Sequence, residues 1–299
     1  MAALQSLRPA VSSIVRNPIL VGVAALFAVA QLPSLLVPPS RPVLSMAVSL
    51  GMFGVYVLVL PFAQGGFLGM ADEAVAGRTR LGTLVSVGKE HYVSLLIGYL
   101  VLLALNFAFG FLAFFGGMAV LIGGAYTAGS AGSGGSNAGG TGGMGGVEAG
   151  AGGLGIDPGV LAAAALVGLG LLLVYFLVTF FVQFYAHAVV LDDTDLVAGF
   201  RRSAGLVRHN LLSAAGYTLL LLVGGTVFGG IAAVSSSVAA VVFGGGMPEG
   251  SPIAELLPTA SPVIAGVGLI VYVVLIGLVG AFYGTYSVAF YRSISDSAA

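Results

Sequence analysis

The chain has 299 residues, 58% hydrophobic and only 7% charged, with ten basic residues against eleven acidic ones and a formal net charge of −1. A soluble domain carries roughly a quarter charged residues, so water would not solvate this surface and most of it must face lipid. The near-neutral charge gives no electrostatic footprint for nucleic acid, and the absence of cysteine excludes disulfides, thiolate catalysis and thiolate metal sites.

A helix rises about 1.5 Å per residue, so about 20 apolar residues cross about 30 Å of hydrocarbon. Six stretches meet that length: Ile19–Val37, Val43–Met70, Val93–Ala125, Gly159–Leu191, Leu211–Gly246 and Val263–Tyr291. None holds a Lys, Arg, Asp or Glu before its final turn. In the first stretch Ala28-Val29-Ala30 has the small-x-small form of a signal-peptidase site. The apolar run continues to Val37, so it is read as an uncleaved anchor. In the second, Pro61 removes one backbone hydrogen bond and marks a kink.

Between the second and third stretches lie Asp72 and Glu73, then Arg78, Arg80 and Lys89. After the third, Tyr126 to Pro158 is mostly Gly, Ser and Ala, with Glu148 and Asp157 its charged residues. Such a segment buries too little apolar surface to offset its ordering entropy, and a flexible extracytoplasmic loop over 126–158 is expected. No Lys-Ser/Thr follows its glycines and no strand precedes them, so it is not a phosphate cradle. Asp192, Asp193 and Asp195 then precede Arg201, Arg202 and Arg208, ahead of the fifth stretch. Leu196, Phe200 and Val207 recur at helical spacing with the arginines on other faces, the pattern of an amphipathic helix along the inner leaflet. A second external loop, Gly244–Pro262, carries Glu249, Glu255 and four prolines.

Orientation follows from the basic residues. Nine of the ten fall on one side of an even number of spans and only Arg41 falls on the other, which places the N- and C-termini in the cytoplasm. The two large cytoplasmic segments also resemble each other. Lys89-Glu90-His91 leads to Gly98-Tyr99, and Arg208-His209-Asn210 leads to Gly216-Tyr217, with the same His-to-Gly-Tyr spacing. This reads as a parallel repeat of two helices plus a loop.

Candidate chemistry is sparse. Asp192, Asp193 and Asp195 are the densest carboxylates, a candidate site for a divalent ion shared with phosphate oxygens; the competing reading is a solvated loop. Leu196 breaks the DDxxD spacing of prenyl-diphosphate enzymes. No two of His91, His187 and His209 have the i, i+4 spacing of a zinc motif, and Ser235-Ser236-Ser237 has no base near it in sequence. Ion-coupled transporters place charged groups at mid-membrane depth, where this chain has only groups such as Asn106, Gln31, Gln64 and Thr179. Gly65–Gly69, Gly225–Gly229 and Gly280–Gly284 read GxxxG and are assigned to packing within the chain, with dimerisation as the alternative.

The run Phe184-Tyr185-Ala186-His187-Ala188-Val189-Val190-Leu191-Asp192-Asp193, followed by Phe200-Arg201-Arg202-Ser203 and Leu206-Val207-Arg208-His209-Asn210, resembles a family of six-helix membrane proteins common in halophilic prokaryotes. That family is similar to the membrane domain found beside glycerophosphodiester phosphodiesterases, in which an acidic loop leads to a Ser-x-x-x-x-Arg/Lys-x-Asn stretch. Ser203, Arg208 and Asn210 fill those places. The resemblance covers residues 175–220, and the remainder by helix count. It implies no activity, because no soluble stretch here is long enough for the phosphodiesterase barrel.

The expected fold is an all-α, polytopic bundle of about six transmembrane helices, a single membrane domain over 1–299 with amphipathic helices in its cytoplasmic loops. The expected function is a non-enzymatic accessory, scaffold or lipid-interacting module in the plasma membrane. It needs no cofactor and meets anionic lipid head groups or a membrane partner, a second copy included, through Arg78, Arg80, Arg201, Arg202 and Arg208. The alternatives are a permease-like facilitator of a neutral or amphiphilic solute and a lipid-modifying enzyme using Asp192, Asp193 and Asp195.

Overall fold

The computed structural model describes residues 2–30, 42–131, 158–242 and 262–297, and all regular structure among them is helical. In chain order the helices are α1 (Ala2–Gln5), α2 (Leu7–Arg16), α3 (Ile19–Ala30), α4 (Pro42–Ala76), α5 (Leu81–Glu90), α6 (Tyr92–Ala131), α7 (Pro158–Val182), α8 (Tyr185–Leu191), α9 (Leu196–His209), α10 (Leu211–Val242) and α11 (Pro262–Asp296). Among the described residues four helices are long and apolar enough to cross a membrane, or up to six if each of two bent pairs is one span. The chain is a multi-pass membrane protein.

The bent pairs carry the amphipathic segments. Helix α2 turns by 93° into α3, and α9 turns by 101° into α10. A short amphipathic helix at a right angle to an apolar one has the geometry of a helix lying along a membrane surface. For α9 this agrees with the sequence pattern. Helix α2 was not anticipated, although its sequence shows it: Leu7, Ala10, Val11, Ile14 and Val15 form an apolar stripe, with Arg8, Ser12 and Arg16 on another face. Short helix, one- or two-residue break and apolar helix therefore recur at α2–α3, α5–α6 and α9–α10, with Asn17, His91 and Asn210 at the breaks.

Helix α4 passes through Pro61 without ending and stops at Gly77, whose N–H bonds to the Glu73 carbonyl. Its 35 residues span about 52 Å, so one end projects well beyond hydrocarbon. Helix α6 runs to Ala131, several residues into the segment expected as a loop, and α7 begins at Pro158. Residues 132–157 of that segment, most of the Gly244–Pro262 loop, Arg41 and the end of the first apolar stretch lie outside the described residues. The fourth stretch is not one helix, because it breaks between α7 and α8 at Gln183 and Phe184.

Two compact units divide the chain, Met1–Leu100 with Phe181–Ala299, and Val101–Phe180. In the first unit α3, α4 and α11 share a core of Leu20, Val23, Ala24, Met70, Ala74 and Ala281. The glycine pairs serve contacts inside this unit: Gly65 and Gly69 face Leu95 and Val87, and Gly280 and Gly284 face Ala24 and Phe67. Gly229 of the remaining pair meets nothing within 4 Å. At Gly277 a Cβ would stand 2.8 Å from the Val21 carbonyl oxygen and 2.9 Å from Ala25 Cβ. Lipid provides no hydrophobic force between helices, so this backbone approach holds α11 to α3. Gly277→Ala should cost about 1–2 kcal/mol through overpacking, read as a lower melting temperature by circular dichroism.

The second unit contains the remaining lengths of α6 and α7. Tyr175 donates to Asn106 Oδ1 at 2.7 Å while Asn106 Nδ2 donates to the Leu102 carbonyl at 2.8 Å. Both polar groups of this mid-span amide are thereby satisfied, as apolar surroundings require. Phe107, Phe111 and Phe114 are exposed around it, as side chains facing lipid would be.

Candidate functional site

The basic segments of the first unit gather at one end of its helices. The Asp192–Asp195 turn shows how. Helix α8 stops at Leu191, and Asp193 adopts φ 49°, a left-handed conformation that Asp tolerates better than most residues. Thr194 donates its hydroxyl to the Ala188 carbonyl at 2.9 Å, and Asp195 caps α9 by accepting from the Ala198 N–H at 2.8 Å. An aspartate N-cap is worth about 1 kcal/mol. The three carboxylates thus have separate roles, and only Asp192 enters a side-chain network.

Asp192 accepts hydrogen bonds from Arg202 Nε and, at 2.5 Å, from the Tyr291 hydroxyl. Arg292 Nη1 lies 3.8 Å from its other oxygen. Arg292 in turn donates Nε and Nη2 to the two oxygens of Asp72, each at 2.9 Å, the fork geometry that guanidinium and carboxylate share. Two carboxylates and two guanidiniums balance in charge and join the ends of α4, α8, α9 and α11. No three His, Cys, Asp or Glu side chains among the described residues form a group that could hold a metal ion.

The five arginines singled out from the sequence divide here. Arg202 is paired with Asp192. Arg78, Arg80, Arg201 and Arg208 are exposed, and no ion pair among the described residues engages them. Arg78 and Arg80 sit on a pinned loop. Buried Asn17 donates Nδ2 to the Gly77 carbonyl at 3.1 Å and accepts from the Thr79 N–H at 3.0 Å. Glu73 accepts from the Thr79 and Thr83 hydroxyls at 3.0 and 2.7 Å.

Beside the network, the break between α7 and α8 is repaired by a side chain. Ser203 Oγ accepts from the Phe184 N–H at 3.1 Å and donates to the Phe181 carbonyl at 2.8 Å, tying together backbone groups on the two sides of the break. His187 is buried, with Nε2 3.0 Å from Ser287 Oγ and its ring stacked on Tyr291 at 5.4 Å. Gln183 accepts from Thr218 at 3.2 Å. Gln183 Nε2 and His187 Nδ1 have no hydrogen-bond partner among the described residues. Beside these groups Tyr217 stacks on Phe290, and both rings pack at a tilt against Phe184.

Sequence reasoning missed Asp72, Arg292, Asn17 and the backbone role of Ser203. The first two stand in the last turns of α4 and α11, where charges at span ends are ordinary topology signals; their pairing needs the third dimension. Asn17 had a signal in its place after the basic residue that ends α2, matching Asn210 after α9.

Residues 1–294 match a protein family described as a domain of unknown function (DUF7847). No curated protein and no solved structure matches the chain.

Proposed function

The chain belongs to the DUF7847 family, and from its own residues we propose that it is a non-enzymatic accessory or scaffold module of the plasma membrane that engages anionic lipid head groups. The observation that carries this is the placement of Arg78, Arg80, Arg201 and Arg208, exposed and, among the described residues, without an ion-pair partner, beside helices that turn 93° and 101° from the apolar helices they precede. An in-plane helix with arginines at head-group level is attracted to phosphates, each basic residue adding about 1 kcal/mol near an anionic surface. The excess of basic residues on this face makes it cytoplasmic. The structural duties of Asp192 and Asp195 also support a role without catalysis. The likeness of residues 175–220 to the membrane domain found beside glycerophosphodiester phosphodiesterases belongs to the same reading.

The test is native mass spectrometry of the protein released with its lipids, comparing wild type with a variant carrying Gln at 78, 80, 201 and 208. Arg202 is left intact, because its loss would break the Asp192 network. Retained anionic lipid should fall at least tenfold; retention equal to wild type would overturn the reading.

The broken span supports a second reading, a facilitator for a neutral or amphiphilic solute. Interrupted helices in transporters place polar groups where solutes bind, and Gln183 Nε2 and His187 Nδ1 are buried polar atoms at such a break. Flux in proteoliposomes decides it: entry of a neutral solute that is lost in Gln183→Leu supports a facilitator, and no flux across a broad panel counts against one.

A further inference from the structure

We propose that the cleft formed by the Gly77–Arg80 loop and the first turns of α5 binds one lipid head group through its phosphodiester. This rests on the lipid-binding reading above and narrows it to one site. The cleft measures about 630 Å³ and is lined by Glu73, Arg78, Arg80, Gly82, Thr83 and Ser86 among others. That is room enough for a lipid head group.

Three observations make it a built site. Its loop is held from behind, at Gly77 and Thr79 by the buried Asn17 amide and at Thr79 and Thr83 by Glu73. Arg80 is extended, at φ −135° and ψ 153°, and in an extended segment alternate side chains share a side; both Arg78 and Arg80 line the cleft. Two guanidiniums that no described carboxylate pairs with are thus presented by a backbone that need not be ordered on binding, which favours affinity. Guanidinium forks suit phosphate oxygens better than a lysine would.

Charge and depth identify the occupant. Two guanidiniums against the Glu73 carboxylate leave a net +1, which matches a phosphodiester monoanion and underserves a free phosphate dianion. The cleft lies in the connection between α4 and α6, two helices long and apolar enough to cross a membrane, on the basic face that the lipid-binding reading assigns to head groups. On α5, Leu84, Val87 and Gly88 pack against α4, Gly82 and Ser86 line the cleft, and Leu81 and Val85 on the neighbouring stripe are exposed. Those two apolar side chains suit the start of the acyl chains, with the phosphate beside them.

The experiment adds phosphatidylglycerol, phosphatidylcholine or inorganic phosphate to the delipidated full-length protein and reads stoichiometry by native mass spectrometry. Wild type, Arg78→Gln/Arg80→Gln and Arg201→Gln/Arg208→Gln are compared, each checked for unchanged helicity. The expected result is one tightly held phosphatidylglycerol in wild type, an affinity loss of at least tenfold in the first variant and less than threefold in the second. Equal losses in both variants would overturn a discrete site while leaving general anionic-lipid binding in place. Loss of lipid in neither variant would overturn both. Full displacement of lipid by equimolar inorganic phosphate would make the ligand a soluble anion, and equal retention of phosphatidylcholine would remove the charge argument.

Discussion

Asp192→Ala should lower the unfolding free energy by about 2–3 kcal/mol, enough to shift the melting transition in detergent by several degrees. The carboxylate accepts from Arg202 and Tyr291 and lies near Arg292, and its side chain is only 15% exposed. Its removal leaves the Arg202 guanidinium and the Tyr291 phenol without their acceptor, while Arg292 keeps Asp72 as counter-charge. A fully buried pair broken this way costs about 3–5 kcal/mol. Arg202 and Arg292 are 44% and 38% exposed, so both can turn toward water, and solvent reduces the penalty. Asp192→Asn keeps an acceptor oxygen and should cost about half as much. Circular dichroism is the suitable probe, because the chain has no tryptophan. An Asp192→Ala protein that melts like wild type, but loses Mg²⁺-dependent turnover of a phospholipid, would instead return the aspartates to the enzymatic reading.

Ser203→Ala should have an effect of similar size and a sharper local signature. The hydroxyl pairs the Phe184 N–H and the Phe181 carbonyl at a site where Ser203 is fully buried. Each buried backbone group left unpaired costs about 1–3 kcal/mol, so a loss of about 2–4 kcal/mol is expected. Exchange of the Phe184 amide with deuterium should accelerate by two orders of magnitude or more, while amides in the middle of α4 stay protected. If Phe184 exchanges at the wild-type rate, the hydroxyl does not hold the break together and another group must do so. Ser203→Thr keeps the hydroxyl and should retain most of the protection.

The sequence displayed the membrane class, the apolar helices and α9 because those depend on local composition and period alone. Helix boundaries were less legible. Helix α4 continues past Met70 because Ala71 and Ala74 are buried against neighbours, a tertiary cause that hydropathy does not carry. The break at Gln183 was hidden for the same reason: Phe-Val-Gln-Phe-Tyr reads as helix, and the partner that makes the break affordable is Ser203, on the next helix. The arginine set was visible as a set, but its division was not. Arg201 and Arg202 are adjacent in sequence and similar in flank, yet only Arg202 meets Asp192. Neighbours on a helix point about 100° apart, and the choice between them depends on where α8 ends.

Contacts between the first and last helices have a consequence for synthesis. The Tyr286 hydroxyl donates to the Ala3 carbonyl at 3.0 Å, Ser6 and Ser293 meet at 3.5 Å, and α3 lies against Gly277 and Gly280. These are the longest sequence separations the chain offers, and such contacts form last. While the ribosome is still adding the middle spans, the small-residue face of α3 has no partner and must wait in lipid or beside an insertase. Any chain that stops before α11 leaves Ala24 and Ala25 of α3 without the glycines they pack against.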